Sequence, residues 1–389
     1  LEREFAAIAR ALGEDDGAAF YVDDWGTDAA AIRAAVAAAA EAGGGTIHFK
    51  PGATYTLEDG DTHPVVVPLA GANHDDGNVN FFYHVLLDEL EGITFDFHGA
   101  ELVSPITFGN SGMFVLDGCR NITFRNGRIR GAHEHNALNE VTTNAGVQAV
   151  CATSQGRDSY GLRLECLDVR ECWSSLYCFG TKDPTYRVRG VTMDRVRFET
   201  GMYGLTLHEN GDNVTARYEL SDMGRDFFVF GVRQFDLDVF TEPGPPGNEH
   251  GLQGLIKAYR NDTADGRVRH RTTKTTISTS HIVLASDYDT DTQAVPSRIR
   301  NIELNVDNSQ GDSSIGSPVN FMVLEDGAFV TAATQVFDGI LIRGIAKGIP
   351  DFSSTPVQDV DGSLDTDGLI VETGDINDVY AGTGFVNPS

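Results

Sequence analysis

Lysine is nearly absent from this chain: five residues against 24 arginines, in 389 residues that carry 57 acidic side chains. The formal net charge is −28. A surface of that sign repels phosphate backbones and argues against nucleic acid as a partner. Acidic excess with scarce lysine keeps a protein hydrated in concentrated salt, at the cost of self-repulsion in dilute buffer, so a halophilic source is expected. Long apolar runs are missing too. None approaches the roughly 18–20 residues that span a bilayer, and no membrane partner is expected. The first residue is Leu1, with no methionine or secretory signal, as expected of a processed or trimmed form. The five cysteines (Cys119, Cys151, Cys166, Cys172, Cys178) contain no CxxC pair. That argues against zinc, and their odd number against a full disulfide framework. They read as small buried apolar residues.

What is present is a short helix followed by strands. Residues 26–42 are alanine-rich with Ile32 and Val36 on one face; three glycines follow, then Thr46-Ile47-His48-Phe49 and Pro51-Gly52-Ala53. Beyond Gly45 short apolar runs recur between turns. One series is Gly92-Ile93-Thr94-Phe95, Asn121-Ile122-Thr123-Phe124, Gly190-Val191-Thr192-Met193, Asn213-Val214-Thr215-Ala216 and Asn301-Ile302-Glu303-Leu304. A second starts at Phe114, Leu176, Leu205, Phe228 and Leu252, the last four separated by 29, 23 and 24 residues. A repeat of 20–30 residues with two or three strands indicates a solenoid, in which stacked coils share one core. The Asn or Gly that opens each member of the first series suits a tight corner, because these residues tolerate left-handed backbone angles. A β-sandwich would show hairpin signals; Asn126-Gly127 and Asn210-Gly211 fit corners between coils equally well.

On these residues the segment from Asp28 to Tyr55 resembles the opening of the pectate-lyase-like superfamily, which includes polygalacturonases and phage tailspikes. The resemblance covers about the first thirty residues of the pattern. It implies an all-β fold, a right-handed parallel β-helix over 58–389, preceded by a segment 1–57 whose helix caps the open end of the core. It also implies a secreted or extracellular protein that binds or cuts polysaccharide, and it admits a homo-oligomer such as a trimer. The polygalacturonase signatures Asn-Thr-Asp, Gly-His-Gly and Arg-Ile-Lys are missing, as are the pectate-lyase signatures Trp-x-Asp-His and Arg-x-Pro-x-x-Arg.

Function must therefore be read from the residues. Aligning Leu205, Phe228 and Leu252 as one core position brings Asp226 level with His250, with Tyr203 one coil below and Glu249 beside the column. Coils stack about 4.8 Å apart, so Asp226, Glu249 and His250 form the expected catalytic set. Carboxyls about 5–5.5 Å apart suit retaining glycoside cleavage, and about 6.5–9.5 Å suits inversion. The same alignment stacks Arg233 on Lys257 with His208 nearby, a set that would serve β-elimination on a uronate glycan. His208, Arg233, Lys257, Tyr203, Gln253 and Trp173 are the expected substrate-binding residues, the aromatic ones by stacking on sugar faces. The competing reading of each is a solvated charge or an inward-packed ring.

Three further clusters stand out. His133-Glu134-His135 has metal-permitting spacing but no further ligand, so no metal is assigned. Asp287, Asp289 and Asp291 resemble a calcium loop without its glycine and terminal glutamate; calcium is the one cofactor they admit, and a solvated acidic turn is the stronger reading. Arg267-Val268-Arg269-His270-Arg271 reads as a basic loop, either walling the groove or pairing with nearby aspartates. The expected function is cleavage of glycosidic bonds by a carboxylate pair, with a lyase and a non-catalytic tailspike-like glycan-binding protein as rivals.

Overall fold

The computed structural model describes residues 17–68, 76–108, 110–133, 146–179, 185–242, 252–259, 264–272, 280–288, 299–307, 317–325, 328–329, 337–338, 341–345 and 370–373. The α-helix Ala29–Glu41 forms because alanine pays least to become helical, and because the Asp28 side chain accepts a hydrogen bond from the Ala31 N–H at 2.8 Å. That cap satisfies one of the orphan donors of the first turn. Ala29, Ile32, Ala35, Val36 and Ala39 are buried, a stripe at helical spacing. They join the same core as Ile47, Phe49 and Ile93. This helix is not long and apolar enough to cross a membrane.

Parallel strands then stack in three columns. The first runs through Gly45–His48, Ile93–Asp96, 123–125, 163–165 and 192–194. The second runs through Thr54–Thr56, Glu101–Val103, 128–130, 168–170 and 197–199. The third links 82–88, Ser111–Asp117, Gln148–Thr153, Ser174–Phe179 and 203–208. Further along, 227–230 pairs with 254–257, which pairs in turn with 282–285, and that with 319–322. This is the pairing of a parallel β-helix. The core between the columns is rich in phenylalanine: Phe95 stacks on Phe124 with ring centres 4.8 Å apart, and Phe114 packs 4.8 Å from Phe124.

The expected corners are present. Gly92, Asn121, Gly190, Asn213 and Asn301 all have positive φ, between 52° and 70°. Asparagine reaches this region at low cost because its short polar side chain bonds locally. The cysteine expectation holds as well. All five thiols are free and four are buried. Burial pushes Cys119, Cys172 and Cys178 up to about 12, so they stay protonated and unreactive.

Three expectations need correction. The strand Gln148–Thr153 is missing from the second sequence series, yet it forms a full coil level between Ser111–Asp117 and Ser174–Phe179. The alignment of Phe228 with Leu252 is three residues out: Phe228 lies opposite Leu255, and Phe230 opposite Lys257. Lys257 therefore does not stack on Arg233, whose partner position is Asp265. Finally, the basic run is no loop. It lies in the strand Ala264–Thr272, parallel to 233–241 and to 299–307. Val268 and His270 are buried while Arg267, Arg269 and Arg271 are exposed, the period-two alternation of a half-buried strand. The arginines pair with aspartates one coil away, Arg267 with Asp236, and Arg269 and Arg271 with Asp238 at 2.9 and 3.1 Å.

Such exposed pairs contribute little each, whereas the net charge of −28 acts over the whole surface. Screening should relieve more repulsion than it removes attraction. The melting temperature is expected to rise substantially from dilute buffer to molar salt. A flat salt profile would contradict this.

Candidate functional site

The expected catalytic carboxylate is not at the surface. Asp226 is 0% exposed, as is His270, whose Nε2 lies 2.7 Å from Asp226 Oδ2. The Thr241 hydroxyl donates to the same oxygen at 2.9 Å. Tyr218, also buried, donates to the Asp226 backbone carbonyl at 3.2 Å. Burial, reinforced by the Asp226 charge, pushes the Tyr218 hydroxyl well above its ordinary value, so it remains a donor. This is an internal polar knot sealed from any polymer. Asp226 is therefore corrected from a groove carboxylate to a core residue. The physical reason is a set of distant partners. Phe227 and Val229 point inward, and Asp226, just before the paired segment 227–230, is held in the core by Thr241 and His270 from another column of strands. Glu249 and His250 lie outside the described residues.

The expected substrate-binding residues fare differently. Trp173 precedes the strand Ser174–Phe179, and Tyr203 pairs with Ser174 one coil later. Their rings meet edge to face with centres 5.6 Å apart. Tyr203 continues to Phe228 at 5.0 Å, Phe228 to Phe230 at 5.3 Å, and Phe230 to His208 at 4.6 Å. At the other end, His133 packs on Trp173 at 5.3 Å. Six rings thus form one chain along the outer face of the third column. Cations sit along it. The Arg225 guanidinium lies 4.9 Å from the Phe228 ring centre and 5.7 Å from that of Tyr203, and Lys257 Nζ lies 5.8 Å from that of Phe230. These are cation–π distances.

Trp173, Tyr203, His208 and Lys257 are thus brought together. Arg233 is not part of the ring chain; it forks onto Asp212 at 3.0 and 3.2 Å, beside Arg187 and Arg189. Gln253 lies in the strand Leu252–Tyr259. Phe228, Phe230, Arg225 and His133 are the members that sequence reasoning missed. A residue-by-residue search for rings on neighbouring coils finds them only once the strand phase is known.

Earlier coils of the same face are already covered. The antiparallel hairpin of Asp61–Pro68 and Asp76–Asp88 lays Val65 and Phe81 on Val115, Cys151 and Phe179. Gln155 clamps it: its side-chain oxygen accepts from Val66 N–H at 2.9 Å and its amide donates to Val66 carbonyl at 3.2 Å. The ring chain begins where that cover ends. His133 is buried with its ring on Trp173, while Glu134, His135, Asp289 and Asp291 lie outside the described residues. Among the described residues no group of three His, Cys, Asp or Glu side chains is placed to hold a metal.

No protein-family model and no curated protein matches the chain. Several solved structures resemble it at low identity. A tailspike of E. coli bacteriophage HK620, solved as a double mutant with a pentasaccharide, is 13% identical, with a TM-score of 0.42, over 82% of this chain and 56% of that one. The chain thus spans little more than half the tailspike's length. PfbA, a surface adhesin of Streptococcus pneumoniae, is 12% identical, with a TM-score of 0.39, over 86% and 92%. A mannuronan C-5 epimerase A-module of Azotobacter vinelandii is 14% identical, with a TM-score of 0.31, over 85% and 95%.

Proposed function

We propose that this chain binds a polysaccharide or oligosaccharide along the ring chain from Trp173 to His208, without turning it over. The carrying observation is the chain itself: from Trp173 to His208, five contiguous rings on the outer face of a sheet, with cations among them. Sugars present apolar C–H faces to aromatic rings and hydroxyls to polar neighbours, and rigid rings bind at low entropic cost. In this reading the scaffold is a right-handed parallel β-helix, the helix Ala29–Glu41 closes its first coil, and an extracellular location fits the ligand. Glycosidic cleavage by Asp226 loses its support because that carboxylate is sealed in the core. Elimination by Arg233 loses it because Asp212 already holds the guanidinium.

The test is calorimetric titration against a mixed oligosaccharide panel. Trp173→Ala and Phe230→Ala are each expected to weaken binding about tenfold or more, roughly 1.4 kcal/mol. Tyr160→Ala removes an exposed ring away from the chain and should leave affinity unchanged. Equal affinity in all three variants would remove the proposal. New reducing ends released from the panel would restore the hydrolase reading.

A further inference from the structure

At the turn from the second column into the third lies a cleft of about 560 Å³, lined by Ser104, Arg130, His133, Glu171 and Thr200 among others. His133 connects it to the ring chain through its 5.3 Å contact with Trp173. Arg130 stands between two carboxylates: its Nε lies 3.4 Å from Glu101 Oε1 and its Nη1 3.9 Å from Glu171 Oε2. The Thr200 hydroxyl donates to Asp222 at 3.0 Å, which leaves its oxygen as an acceptor.

The chemistry of this set selects a ligand. The charged lining residues Arg130 and Glu171 cancel, and Glu101 and Asp222, the partners of Arg130 and Thr200, bring the local formal charge to −2, so a uronate or sulfate would meet repulsion. A cation would compete with Arg130, which already neutralises one carboxylate. A neutral polyhydroxylated ring meets neither penalty. Each of its hydroxyls can donate to a carboxylate and accept from a guanidinium, and hydrogen bonds to charged groups are the stronger ones. The volume falls within the usual range for small-ligand pockets, about 300–1,000 Å³.

We propose that this cleft holds a neutral side-branch sugar of a glycan whose backbone lies on the ring chain, so that the preferred ligand is a branched glycan. The inference rests on the glycan-binding reading above. A site built to hydrogen-bond a hydroxyl discriminates sharply against an analogue that lacks it. The branch, more than the backbone, then sets specificity.

The experiment is titration with matched neutral oligosaccharides of one backbone, linear and singly branched, chosen from an array as the tightest such pair. The unaltered protein is expected to bind the branched member at least tenfold more tightly. Glu171→Gln and Thr200→Val should each pull the branched-to-linear ratio toward one, while Trp173→Ala weakens both ligands together. Glu171 is substantially exposed, with 43% of its side chain in solvent, so its variant should fold, and cooperative unfolding checks this. Equal binding of the two ligands, or a ratio untouched by Glu171→Gln and Thr200→Val, overturns the branch assignment but leaves the ring chain standing. Binding that is insensitive to Trp173→Ala overturns both.

Discussion

His270→Ala should cost about 1–3 kcal/mol of unfolding free energy or more, the scale for taking a hydrogen-bond partner from a buried polar group. His270 and Asp226 are both 0% exposed, and the substitution takes from the buried carboxylate the imidazole that sits 2.7 Å from it. Asp226→Ala should cost a similar amount, because the imidazole and the Thr241 hydroxyl then lose their acceptor. Asp226→Asn, nearly the same size, should also destabilise the fold rather than abolish a reaction. The triple variant Asp226→Val, Thr241→Val, His270→Leu should recover most of the loss, since a buried polar group replaced together with its partners is often neutral. Urea unfolding of the four variants beside the parent decides this. Single variants within about 0.5 kcal/mol of the parent, the range of ordinary surface changes, would show that the knot is not sealed.

Deleting residues 26–42 should yield aggregated protein. The helix contributes Ala29, Ile32, Ala35, Val36 and Ala39 to the common core, and fully burying an Ile or Val is worth about 1.5–3 kcal/mol. If the helix closes the first coil, as proposed above, removal also bares an apolar cross-section beside Ile47 and Ile93. Neighbouring chains can then pair there. Soluble material that unfolds cooperatively would show that the helix is not a cap.

The architecture was legible because its signals are local. An Asn or Gly before Ile/Val-Thr marks a corner wherever the chain turns left-handed, and Gly92, Asn121, Gly190, Asn213 and Asn301 all do so. The site was legible in part, and strand phase drew the line. Trp173 and Tyr203 were found because a large ring at a strand's start stands out whichever face it takes. Asp226 was misplaced because its burial depends on Thr241 and His270, 15 and 44 residues further along the chain, which no local pattern around Phe227-Phe228-Val229-Phe230 reveals. His270 was hidden within a run of arginines that looks like surface, though the Val268 and His270 alternation held the signal of a strand. Arg130, Glu101 and Glu171 come from three separate coils, a meeting that composition and spacing do not reveal.

Trp173 offers the most direct measurement of ligand placement. The chain contains two tryptophans, Trp25 and Trp173, and Trp25 is 44% exposed near the helix. In a Trp25→Phe variant all tryptophan emission comes from the ring chain. Titrating that variant with the tightest oligosaccharide from the panel should shift the emission to shorter wavelength, saturating at the dissociation constant that calorimetry gives. Calorimetric binding with unchanged Trp173 emission would place the glycan elsewhere and contradict the account.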